Sequence, residues 1–101
     1  MVTLSVTRSR VAAVLTAAAA RLEEAGWDPQ RQPLMNAIDE AAGFTPGSGT
    51  VDAEETSLGA WDALAVHLRD EWPSSWEHQP GRTQADVVAA LRAAAGAVMA
   101  P

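Results

Sequence analysis

Cysteine is missing from the chain. Its absence excludes a disulfide framework, a thiolate nucleophile and a Cys-ligated zinc site, and is compatible with the cytosol. Tyrosine and lysine are absent too, and phenylalanine occurs once. Core volume must therefore come from a few Leu and Val residues, Ile38, Phe44 and the four Trp, set among alanines whose small side chains let helices approach closely. No apolar run is long enough to span a membrane. Val11 to Ala20, following Arg8 and Arg10, has the outline of an export signal, but Thr16 and the alanine run make a poor hydrophobic region. It reads instead as a helix facing a core, and the expected setting is cytoplasmic.

Basic residues are missing over a long stretch as well. None falls between Arg31 and Arg69, while Asp39, Glu40, Asp52, Glu54, Glu55 and Asp62 all do, so this segment carries the whole formal charge of -6. Such a field disfavours a nucleic-acid backbone and suits a partner with a basic surface. Its plain alternative is a solvated acidic face that keeps a small protein in solution.

What is present points to one domain over residues 1–101, all-α: a compact bundle of four helices with a short helical turn near Trp76. The 48% hydrophobic content suffices for one core, and a chain this size buries roughly 65% of its extended surface. Alanine has the highest helix propensity and is a poor strand former. The first helix is expected from about Arg8 to Ala25, capped by Ser5 or Thr7, with Val11, Val14, Leu15, Ala18, Leu22 and Ala25 inward. Gly26 ends it in a Schellman arrangement that returns Trp27 to Leu22, and Gly43-Phe44 repeats the device after a second helix over Pro33 to Ala42, with Leu34, Ile38 and Ala41 inward. The Thr45 to Thr50 segment is the one real loop, and it lacks the Gly-Lys-Ser/Thr ending of a phosphate loop.

A third helix is expected to begin between Asp52 and Ser57 and to run to Glu71, with Leu58, Trp61, Ala65, Leu68 and Trp72 inward and Pro73 as its stop. Asp52 and Glu55 make an acidic first turn suited to a helix N-terminus. Ser74 with Glu77, and Thr83 with Asp86, have the spacing of capping boxes; Val87, Val88, Leu91, Ala94, Ala95 and Val98 give the final helix its buried face.

Chemistry has little to stand on. His67 and His78 lack the spacing of a helical metal pair; His67 can pair with Asp70 or Glu71, and His78 with backbone. Sequence-adjacent acids point different ways on a helix, and no serine sits in a G-x-S-x-G elbow. Arg69 and Arg82 flank the Trp76 elbow and can clamp an anion, or make ordinary surface ion pairs with Asp70 and Glu77. Trp76 either plugs the bundle end against the last helix or grips a partner. The final helix offers only Arg92 for reading DNA.

The segment Trp76-Glu77-His78-Gln79-Pro80-Gly81-Arg82-Thr83, followed by Asp86-Val87-Val88 and Leu91, resembles a family of small actinobacterial and actinophage proteins of unknown function. Leu22 to Trp27 fits the same pattern, which covers about half of the chain. The middle departs from it, having no cysteine and a Gly-Ser loop. The resemblance implies a helical fold and an actinobacterial or phage source, and supplies no catalytic residues.

The expectation is a non-enzymatic protein acting by protein–protein interaction, with no cofactor, metal, nucleic acid or membrane partner, and more narrowly a phage-encoded modulator of a host protein. Asp52, Glu54, Glu55, Trp76 and Arg82 are its candidate partner-binding residues. The alternatives are a metal-binding module or metal-assisted enzyme using His67 and His78, and a self-associating structural component.

Overall fold

Alanine-rich sequence with apolar residues three and four apart produces α1, Val2–Ala25, whose Val11, Val14, Leu15, Ala18, Ala19 and Leu22 are buried. The computed structural model describes residues 2–44, 49–69 and 72–100, with side chains from Arg8 onward. The helix is already formed at Val2, so neither Ser5 nor Thr7 begins it, and Ala25 is exposed rather than inward. Gly26 ends it at φ +90°, donating its N–H to Leu22 O at 2.9 Å. That single bond is the left-handed cap and not the Schellman pair, because the Trp27 N–H turns away to Gln84 Oε1 at 2.8 Å.

A tight turn follows in which Asp28 and Gln32 form the one antiparallel bridge among the described residues. Helix α2, Leu34–Ala42, buries Leu34, Ala37 and Ile38 and stops at Gly43, φ +75°. Here the Schellman pair is complete: Phe44 N–H donates to Asp39 O at 2.9 Å and Gly43 N–H to Glu40 O at 3.1 Å. The two glycine stops that look alike in sequence thus close differently. Thr45 to Ser48, most of the expected loop, lie outside the described residues.

Helix α3, Val51–His67, is capped by Thr50, whose Oγ1 accepts from Ala53 N at 3.1 Å. It ends earlier than its apolar pattern implies. Arg69 takes φ 62°, which no helix continues, so Pro73 is not the stop; Asp70 and Glu71, the proposed partners of His67, lie outside the described residues. Its inward face also differs from the expected one: Ser57, Ala60 and Leu64 are buried, while Leu58 is 56% and Trp72 64% exposed. The reason is size. A Cβ at Gly59 would stand 3.0 Å from Val11 Cγ2, so α3 meets α1 through its smallest residues and the bulkier ones are left at the rim.

Helix α4, Pro73–Glu77, has Trp72 as its N-cap and Pro73 in its first turn, so Ser74 lies inside the helix and makes no capping box with Glu77. Helix α5, Gln84–Met99, does carry the expected box, with Thr83 and Asp86 exchanging two bonds of 3.1 Å. Its Val87, Val88, Ala90, Leu91, Ala94 and Ala95 are buried, with Val98 packed beside them.

The architecture is all-α: α1, α2, α3 and α5 close around one core, and α4, which lies between α3 and α5 in the chain, packs against α2 and α3. Helix α1 touches all three other long helices and has its largest interface with α5. It also sends one ion pair to each: Arg10 to Asp52 of α3 at 4.0 Å, Arg21 to Glu40 of α2, and Glu23 to Arg92 of α5. Among the described residues no helix is long and apolar enough to cross a membrane.

Candidate functional site

The elbow residues singled out in the sequence are committed to the fold. The Arg82 guanidinium lies 4.0 Å from the Trp76 ring centroid, its Nε donates to Trp76 O at 3.0 Å, and its Nη2 donates to Gln79 Oε1 at 2.9 Å. The expected ion pair of Arg82 with Glu77 is not formed. Trp76 is half-buried and packed on the core. Trp72, expected inside, is instead the exposed aromatic of this region.

Glu77 is the residue that sequence reasoning missed. It is buried, 2% exposed, and its Oε2 accepts from the Trp27 indole Nε1 and from the Leu34 backbone N–H, both at 3.0 Å. Pro33 gives α2 no side-chain cap, so this distant carboxylate does that work and also faces the positive end of the helix dipole. The Gly-Trp, Trp-Glu and Arg-Thr pairs that carry the family resemblance all meet here, as stop, strut, stack and cap. The contacts they make here are within the chain.

His78 Nδ1 lies 2.7 Å from Ser74 O, the backbone bond expected of it, and His67 is exposed in the last turn of α3. Among the described residues no three His, Asp or Glu side chains come together as a metal cage would need.

Asp52, Glu54 and Glu55 are exposed in the opening turns of α3. They do not share a patch with Trp76 and Arg82, because the elbow follows the far end of a 17-residue helix, about 25 Å long at 1.5 Å per residue. Of the three, Glu54 lines a cleft of about 450 Å³ between α2 and α3. Buried Ile38 lies at its bottom, and Met35, Phe44, Leu58 and Trp61 line it. Met35 is 49% and Leu58 56% exposed, so apolar surface here is open to solvent.

The polar groups of the cleft are Asp39, Glu54 and Ser57. Ser57 Oγ donates to Asp39 Oδ1, which anchors α3 to α2 and satisfies the buried hydroxyl. Neither histidine lines the cleft, so the pair has no imidazole beside it to take the serine proton. Among the described residues Asp39, Glu54, Glu55 and Asp62 have no basic side chain within ion-pair distance. The arrangement is an apolar slot with unneutralised carboxylates at its edge. No sequence signal found it, because Leu58 and Trp61 read as core residues.

A family model described as a family of unknown function, DUF6197, matches residues 6–97. The match includes the middle segment that the resemblance left out. No curated protein and no solved structure matches the chain.

Proposed function

We propose that this chain, which belongs to the family of unknown function DUF6197, works by binding another protein and catalyses no reaction of its own. The observation that carries the reading is the α2–α3 face, where exposed Met35 and Leu58 stand beside carboxylates that no arginine pairs with among the described residues. Unpaired charge of one sign beside open apolar surface favours a partner of opposite charge, which gains both desolvation and electrostatic attraction. The proposed source is an actinobacterium or its phage, on the Trp76 to Leu91 pattern, with the protein in the cytoplasm and a phage-borne copy modulating a host protein.

The test is capture from an actinobacterial lysate on the immobilised protein, followed by titration of the recovered partner in purified form. A single partner that binds the native protein and is lost from the Glu54→Arg/Glu55→Arg variant is the expected result. A partner held equally well by that variant, or none at all, overturns the reading.

A further inference from the structure

We propose that the α2–α3 cleft is a groove for an amphipathic helix of the partner, with apolar anchors in the slot and lysine or arginine on its flanks. The inference rests on the protein-binding reading and adds the chemistry of what is bound. Three observations carry it. First, the α3 side of the cleft is built from Glu54, Ser57, Leu58 and Trp61, at spacings of three, four and seven, so it presents a straight edge two turns long, about 10 Å. A slot of that length between two helices matches a helical segment that inserts one or two anchors. Secondly, Met35, Leu58 and Trp61 are adaptable or large apolar groups left out of the core, the kind that clasp an inserted side chain. Met35 and Leu58 are outside the buried cluster, and Trp61 only rests against it.

Thirdly, the charge selects the occupant. Asp39 and Glu54 line the cleft itself, and Glu55 follows in the same turns of α3; none of the three meets an arginine among the described residues. An acidic helix would be repelled, and a neutral apolar one would strand these carboxylates beside a dry interface. A helix with basic flanks satisfies both the slot and its edge. A second copy of the chain fits poorly, since its own cleft edge carries the same acids.

The probe is a synthetic helical peptide about 14 residues long, four turns, with Leu on one face and Lys on the other. Two further peptides replace Lys by Glu, or Leu by Ser. Binding is measured by calorimetry and located by amide chemical shifts. The Leu/Lys peptide is expected to shift Met35, Phe44 and Leu58, and the Leu/Glu peptide to leave them unmoved. Leu58→Glu and, independently, Met35→Glu are expected to weaken binding by about tenfold or more, as loss of a central anchor does. Both positions are about half exposed, so circular dichroism of the variants should match the native protein.

Four results overturn the inference: equal binding of the Lys/Ser peptide, which means charge alone; shifts confined to another face; a long-chain alkylammonium filling the cleft while the peptide does not; or concentration-dependent dimers that Leu58→Glu dissolves. If the lysate partner is lost on Glu54→Arg/Glu55→Arg but survives Leu58→Glu, the groove fails and the protein-binding reading stands.

Discussion

Glu77 sets one carboxylate oxygen against two N–H donors from segments 43 and 50 residues away in the chain. Leu34 is fully buried and Trp27 partly so, and a stranded buried donor costs about 1–3 kcal/mol. Glu77→Ala is therefore expected to lower unfolding free energy by several kcal/mol in urea melts. Glu77→Gln, which keeps an oxygen of the same reach, should lose distinctly less. Trp27→Phe deletes one of the two donors, and a double-mutant cycle with Glu77→Ala should show coupling of about 1 kcal/mol or more. By contrast Trp72→Ala, at a side chain 64% exposed, should move stability by less than about 0.5 kcal/mol. The burial of Glu77 was not legible in the sequence, where Ser74 three residues earlier offers it a local capping partner. Only the fold brings Trp27 and Leu34 to it, and no local pattern encodes a bond across 50 residues. Arg82 is a similar case, since Glu77 is its natural partner by charge but is already turned inward.

At the scale of elements, glycine separates two kinds of helix position. Gly96 lies in α5 with open space where a Cβ would point, so Gly96→Ala should stabilise by about 1 kcal/mol through helix propensity alone. Gly59 lies in α3 where the same methyl would press on Val11 at 3.0 Å. A β-branched side chain in a packed core yields little, and overpacking costs about 1–3 kcal/mol, so Gly59→Ala should destabilise. In a Val11→Ala background the sign of the Gly59→Ala change should reverse. Thermal melts of Gly96→Ala, Gly59→Ala, Val11→Ala and the Val11→Ala/Gly59→Ala double variant check this. The same contact explains which elements could be read ahead of the structure. In α1, α2 and α5 the Leu, Ile and Val residues of the expected inner face are buried or packed on the core, so period and burial coincide, and Thr83 with Asp86 and the two glycine stops are local signals. In α3 the buried face is Ser57, Ala60 and Leu64, with Gly59 against Val11, so of its large apolar side chains only Leu64 lies fully inside while Leu58 and Trp61 stand at the edge. An apolar period chosen by size therefore selects the wrong stripe, and the cleft it lines stays hidden.

For the molecule as a whole, charge enters through α1 as a hub. The Glu23 carboxyl is held below the usual carboxylate range by hydrogen bonds from Arg92, whose guanidinium pKa is raised in return, and Asp28 is lowered by the backbone N–H groups of Gln30 and Arg31. A carboxyl whose folded pKa is depressed adds stability above its unfolded pKa and loses it as pH falls through the folded one. Melting temperature should accordingly be higher for the native protein than for Glu23→Gln or Asp28→Asn at neutral pH, with both gaps closing under acid conditions. Added salt should shrink the Glu23→Gln gap, because that pair is exposed to solvent.

The strut at Glu77 also has a consequence for order in time. A ribosome releases Trp27 and Leu34 long before it releases their shared acceptor, so α1 and α2 emerge with their junction unlatched. Helix α5, the largest neighbour of α1, emerges later still. The N-terminal half must wait for α5, and packing of α1 is expected to follow release of residues 84–99 from the ribosome instead of accompanying its own synthesis.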